Sequence, residues 1–194
     1  AARRMQTAGL DGVEIVASHG YLPAQFLNPR VNLRADAYGG DVEGRLRFLR
    51  EVIANIRAKV SDAFVVGLRI SGTEADEHGL TEEESLDVVS RIGDSVDYVH
   101  VTVGTSASLG GAVHIVPPMA IKTAYVVPYA ARIKRQSTIP VFVTGRINQP
   151  QDAEAVIASN HADVCGMTRA LISDPEMPNK AMRGALEDIR ACIA

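Results

Sequence analysis

Five short, strongly apolar stretches punctuate this chain, and a segment of helical periodicity separates each from the next. They run from Gly12 to Ala17, Phe64 to Ser71, Tyr98 to Gly104, Pro140 to Arg146 and Asp163 to Arg169. Their hydrophobicity is nearly continuous rather than alternating, the pattern expected of parallel strands buried on both faces. Between the first pair, Leu46, Leu49, Val52, Ile53, Ile56 and Val60 repeat at three- and four-residue spacing and share one helical face. Thr81 with Glu84 reads as a capping box ahead of the apolar stripe Leu86, Val89 and Ile92. Pro128 suits a helical first turn that leads to a basic end at Lys134 and Arg135. Val156 and Ile157 follow Pro150 on a further short helix, and the chain opens already inside a helical pattern at Ala1 to Met5. Strand and helix in strict alternation specify an α/β fold with a parallel sheet.

Two architectures satisfy that alternation. A doubly wound nucleotide-binding sheet would show a G-x-G-x-x-G turn after its first strand, and none is present. Polar and charged residues instead gather at the C-terminal ends of the strands, at His19, Arg69, Thr105, Arg146 and Arg169, where barrel enzymes place their chemistry. The expectation is therefore a partial TIM (β/α)8 barrel. A complete one needs about 250 residues, and 194 residues with five strands provide about five of eight βα units. On this reading residues 1–194 are the C-terminal portion of a single barrel domain whose first three units are missing.

Composition narrows the partners. A formal charge of −3, with 46% hydrophobic and 22% charged residues, gives no electrostatic reason to expect nucleic acid. No apolar run approaches the roughly 20 residues that span a bilayer, and no signal peptide opens the chain. Two cysteines, Cys165 and Cys192, do not make a disulfide framework, so a cytoplasmic setting is the default. Homo-oligomerisation is left open.

Four segments carry candidate chemistry. Thr144-Gly145-Arg146 and Met167-Thr168-Arg169 end the last two strands, where barrels commonly bind phosphate. Gly145 would let the backbone approach an anion, and Arg146 or Arg169 would add charge-assisted bonds. The alternative pairs these arginines with Asp163 and Asp174. Arg69 interrupts an otherwise apolar strand, so its guanidinium needs either a core carboxylate or an electron-rich ligand at the barrel mouth. His19 and Tyr21 lie at the start of the longest interstrand connection and could converge on one bound oxygen as donors, or could simply pack that loop. His100, mid-strand, reads as an interior histidine with its hydrogen bonds met, Cys165 as inert core, and His114 as part of a loop after Gly110-Gly111. No spacing suggests a complete metal site.

The run His19-Gly20-Tyr21-Leu22, Gln25-Phe26-Leu27-Asn28-Pro29, Asn32, Arg34, Asp36, Tyr38-Gly39-Gly40, Glu43, Arg45 and Arg47-Phe48 resembles the old yellow enzyme family. The likeness is to its larger branch, which contains 2,4-dienoyl-CoA reductase and trimethylamine dehydrogenase. It continues through Gly145-Arg146-Ile147, Ala162-Asp163, Met167, Arg169 and Asp174-Pro175 to Asn179-Lys180 and Asp188 to Ile193, essentially the whole chain. The resemblance implies an FMN barrel, with NAD(P)H as an electron donor. It implies that Arg69 meets the pyrimidine side of the flavin and that Gly145, Arg146, Met167, Thr168 and Arg169 hold the FMN phosphate. It places His19 as a hydrogen-bond donor and Tyr21 as the proton donor, with the Tyr38-Gly39-Gly40 loop structural.

Val16 stands where many relatives carry a histidine or tyrosine, and Thr105 and Ser106 replace catalytic side chains of some relatives. The expected activity is FMN-dependent oxidoreduction of a small molecule: either an activated C=C bond, as in an enone or dienoyl thioester, or an N-methylated amine. In the larger branch Cys192 would be the first ligand of a 4Fe-4S cluster, possible only in a longer chain. Two rivals stand beside this reading. One is a barrel enzyme that uses the phosphate site without flavin, which would predict a catalytic lysine at a strand end. The other is an incomplete barrel with no activity of its own.

Overall fold

The computed structural model describes residues 1–193. Helix α1 (Ala2–Thr7) leads into β1 (Gly12–Ala17). Helices α2 (Leu22–Leu27) and α3 (Val42–Arg57) occupy the long connection to β2 (Val65–Ser71). There follow α4 (Glu82–Ile92), β3 (Tyr98–Thr102), α5 (Leu109–Ala112), α6 (Val127–Gln136), β4 (Val141–Thr144) and α7 (Pro150–Ala158). The chain continues through β5 (Val164–Gly166), α8 (Thr168–Ser173) and α9 (Met177–Met182). The strands form one parallel sheet in the order β1-β2-β3-β4-β5.

That order decides the architecture. A doubly wound sheet reverses strand order at a switch point and carries helices on both faces. Here every crossover advances in one direction, so right-handed connections leave the helices on one face. The five strands are consecutive wall elements of a partial (β/α)8 barrel.

The helices form where local signals call for them. Thr81 accepts a hydrogen bond from the Glu84 amide at 3.2 Å, and Glu84 answers by accepting from the Thr81 amide at 2.9 Å, closing the expected capping box of α4. Asp41 caps α3 by accepting from the Gly44 amide, and Pro128 and Pro150 occupy the first turns of α6 and α7. The short helices α2, α5, α8 and α9 carry no periodicity long enough to announce them, and tertiary contacts sustain them.

The two faces of the sheet differ, which corrects the expectation of strands apolar throughout. Ile15, Val66, Leu68, Ile70, Val99, Val101, Val141 and Val143 are buried with Leu46, Leu49, Ile53, Val89, Ile92 and Ile133 of the helices. The alternate positions Glu14, Arg69, Tyr98, His100 and Thr144 share the other face and hydrogen-bond to one another. Each strand thus has period-two chemistry that its high apolar content conceals.

Gly67 makes that inner face possible. It is in register with Glu14 on one side and Tyr98 on the other. A Cβ at position 67 would stand 2.1 to 2.5 Å from three atoms of the Tyr98 ring. Without it the ring lies across β2, stacks on Phe142 at 4.2 Å and sends its hydroxyl to Glu14 at 3.1 Å. We predict that Gly67→Ala destabilises the protein by about 1–3 kcal/mol through overpacking. An unchanged denaturant midpoint and slope would contradict this close approach.

Candidate active site at the strand C-termini

A cavity of about 440 Å³ opens at the C-terminal ends of the strands, within the range of small-molecule sites. Its lining includes His19, Tyr21, Arg69, Gly145, Arg146, Met167, Thr168 and Arg169, so the fold brings together every site residue expected from the sequence. Three guanidinium groups line it, and no aspartate or glutamate does among the described residues.

His19 is the most constrained of these residues. Its backbone is in the left-handed region at φ 60°, followed by Gly20 at φ 73°. A Cβ at Gly20 would meet the Thr105 hydroxyl at 2.4 Å, so the turn is seated against β3's loop. The His19 amide donates to Ser71 Oγ at 3.0 Å, and its carbonyl accepts from the Ser106 amide and hydroxyl at 2.9 and 3.0 Å. Ring Nδ1 lies 3.3 Å from the Gly104 carbonyl. A carbonyl can only accept, so Nδ1 carries the proton; Nε2 has no hydrogen-bond partner among the described residues. Burial, with the nearby charges of Arg69 and His100, outweighs the Gly104 bond and holds the ring below its ordinary pKa. On that neutral ring Nε2 is an acceptor, and it becomes a donor only on protonation. Tyr21 is half exposed and meets the His19 ring edge-on at 6.2 Å.

Arg69 makes the carboxylate pair that the sequence offered as one alternative, and it also lines the cavity. Its Nε donates to Glu14 Oε1 at 2.6 Å. Burial pushes the Glu14 carboxyl up, but the hydrogen bond from His100, the charges of His100 and Arg69, and the Tyr98 hydroxyl together hold it below the ordinary value.

The two later arginines do not pair with Asp163 and Asp174. Those carboxylates bind Lys134 and Lys180, each at 2.7 Å. Arg169 Nη1 donates to the Pro117 carbonyl at 2.8 Å, and Arg146 Nη1 donates to the carbonyls of Met119 (3.0 Å) and Ile121. Both arginines thus hold the segment between α5 and α6 over the cavity. Arg146 Nε is buried without a hydrogen-bond partner in the structure, a donor whose desolvation an anion would offset. Gly145 lines the cavity, and its lack of a side chain serves packing as well. A Cβ there would meet Val126 at 2.2 Å, so the glycine admits the start of α6. Helix α8 begins directly after β5, but with six residues it has little dipole, and the arginines carry the positive charge.

Several contributors escaped the sequence reading. Glu14 and Tyr98 sit inside apolar runs, and period-two alternation was the signal that could have exposed them. His114, Pro117 and Tyr125 reach the cavity from a segment without periodicity. Burial raises the Tyr125 hydroxyl to about 12, so it stays a protonated donor. It donates to the His114 carbonyl. His100 has both ring nitrogens engaged, by Glu14 at 2.8 Å and Thr144 at 2.7 Å. Cys165 packs against the core and lies outside the cavity, with burial raising its thiol.

The model for the NADH:flavin oxidoreductase / NADH oxidase family matches residues 1–188. The chain belongs to this family. A metal reductase of Desulforamulus reducens is 42% identical over the whole chain, which spans 28% of that protein. A multifunctional alkene reductase/demethylase of Caballeronia cordobensis is 39% identical, again over the whole chain and 28% of the relative. Among solved structures, a 2-naphthoyl-CoA reductase complex superposes with a TM-score of 0.90 at 34% identity, over 98% of this chain and 29% of the other. The chain therefore spans under a third of the length of these relatives, and the likeness bears out the partial barrel. The described cavity fits the flavin of the family's description: an unpartnered buried guanidinium nitrogen and three cations suit a phosphate and an electron-accepting ring.

The depressed pKa of His19 has a measurable consequence. The unfolded ring titrates near 6.5 and the folded ring lower, so its contribution to stability is complete above about pH 6.5 and declines as pH falls towards the folded value. An NMR titration should place the His19 midpoint below 6.5. A midpoint at or above that value would contradict the buried, neutral ring.

Proposed function

We propose that the intact protein is an FMN-dependent oxidoreductase that takes hydride from NAD(P)H and reduces a polarised C=C bond conjugated to a carbonyl. The observation that carries this reading is the single cavity wall combining Arg69 with the Arg146 and Arg169 pair. We assign Gly145, Arg146, Met167, Thr168 and Arg169 to the FMN phosphate, with Arg69 on the ring. Bound there, FMN would supply reversible hydride transfer. Residues 1–194 are read as the C-terminal portion of its barrel domain.

The chain's own residues do the positioning. Arg146 and Arg169 offer charge-assisted donors to a dianion. Arg69 sets a fixed cation where negative charge gathers on reduction. Tyr21, a half-exposed residue of the cavity lining, is the proton donor to the substrate carbon. His19 orients the substrate carbonyl through Nε2, which can donate to it only when the ring is protonated. Val16 contributes an apolar wall, 37% exposed, beside them. The lack of a lining carboxylate among the described residues favours a neutral or anionic substrate, such as an enone or thioester, over a cationic amine. No helix among the described residues is long and apolar enough to cross a membrane, and we place the protein in the cytoplasm.

Two experiments test the reading. Arg146→Ala and Arg169→Ala should each weaken FMN binding roughly ten- to hundredfold, the loss of charged hydrogen bonds to phosphate. Riboflavin, which lacks phosphate, should bind wild type and variants alike; equal losses for both ligands would remove the phosphate assignment. In anaerobic spectroscopy of the intact protein, NAD(P)H should bleach the flavin band and an enone should restore it. Bleaching by N-methylated amines instead would assign demethylation, and a protein indifferent to FMN would refute the flavin reading altogether.

A further inference from the structure

The inner face of the sheet holds a hydrogen-bonded chain of which only Arg69 has been given a role above. Glu14 on β1 is its centre. Oε1 accepts from Arg69 Nε on β2 at 2.6 Å. Oε2 meets His100 Nδ1 at 2.8 Å and the Tyr98 hydroxyl at 3.1 Å, both on β3. His100 Nε2 in turn meets Thr144 Oγ1 on β4 at 2.7 Å. Two glycines make the chain fit. Gly67 clears the path of Tyr98, and a Cβ at Gly166 would stand 2.0 Å from Thr144 Oγ1. Among the described residues Glu14 is the only hydrogen-bonded partner of Arg69, which leaves both Nη groups for the cavity that Arg69 lines.

We propose that Glu14 is the positioning residue for Arg69, holding its guanidinium toward the flavin ring and offsetting part of its charge there. The inference rests on the FMN reading above. An arginine side chain has several rotatable bonds, and an unanchored guanidinium would sample many positions at the mouth of the cavity. One Nε bond to a carboxylate fixes the plane of the group. That carboxylate is itself fixed from β3, so the geometry is set by three strands rather than one. The pair is half-buried, with side-chain exposures of 17% for Glu14 and 36% for Arg69, so water screens it incompletely. A lone arginine would stabilise the electron-rich reduced ring strongly; the adjacent carboxylate lessens that bias and keeps the oxidised form accessible for turnover.

Glu14→Gln removes the charge and retains an oxygen acceptor. Anaerobic dye-equilibrium titration of the bound FMN in the intact holoenzyme should then show the equilibrium displaced roughly tenfold toward the reduced flavin. A purely structural glutamate would not move it. If wild type binds FMN and Glu14→Gln titrates identically, the inference is overturned while the flavin reading stands. If wild type binds no FMN, both fall. Should Glu14→Gln fail to fold, Glu14→Asp carries the test, since it keeps the charge but shortens the reach to Arg69. FMN affinity should drop roughly tenfold, the equivalent of one charge-assisted hydrogen bond. Unchanged affinity in Glu14→Asp overturns the positioning role.

Discussion

A carboxylate set among the strands of a parallel sheet must be compensated or neutralised, and the arrangement around Glu14 is shaped by that requirement. Its oxygens are shared by a guanidinium, an imidazole and a phenol that come from two neighbouring strands. Leaving any one donor without its acceptor would strand a polar group in a poorly hydrated place, which is why such networks are all-or-nothing. The consequence is a rigid inner face. Register, the glycine at position 67 and the stacked Tyr98–Phe142 pair all serve the same geometry.

The sheet divides its labour between two faces. Outward-pointing valines, leucines and isoleucines bury the apolar stripes of α3, α4 and α6, and this burial supplies the stability. Inward-pointing side chains are free of that duty and carry charge. At the strand ends the loops are cross-tied: His19 bridges to Thr105 and Ser106, while Asn28 donates to the buried Glu74 carboxylate at 3.4 Å and to the His78 carbonyl at 2.8 Å. A stiff wall with braced loops is what a site needs when its groups must meet a ligand within fractions of an ångström.

The segment between α5 and α6 adds a different element. Its carbonyls at Pro117, Met119 and Ile121 accept from the two arginines assigned to phosphate, so the position of this segment and the charge of the site are linked. Its own side chains are largely solvent-facing, with Val116 68% and Met119 71% exposed. Polar bonds from the arginines tie down its exposed middle, while Tyr125 and Val126 anchor its end against the core.

Much of this was legible in the residues alone. The strand positions, the capping box at Thr81 and Glu84, the prolines opening α6 and α7, and the barrel-type gathering of His19, Arg69, Arg146 and Arg169 are all local or periodic signals. They act within a turn or a strand, so order along the chain suffices to read them. The pairing of Glu14 with Arg69, the tautomer of His19 and the loop carbonyls that occupy Arg146 and Arg169 were decided elsewhere. Each depends on which residues from distant strands meet on one face, and the high apolar content of those strands hides the alternation. Gly145 shows the same limit: its identity was plain, but that it also admits a helix depends on Val126, whose position follows from how α6 packs onto β4. Local chemistry is written in neighbouring residues, whereas the partner of a charge is set by register across strands, and register exists only once the chain has folded.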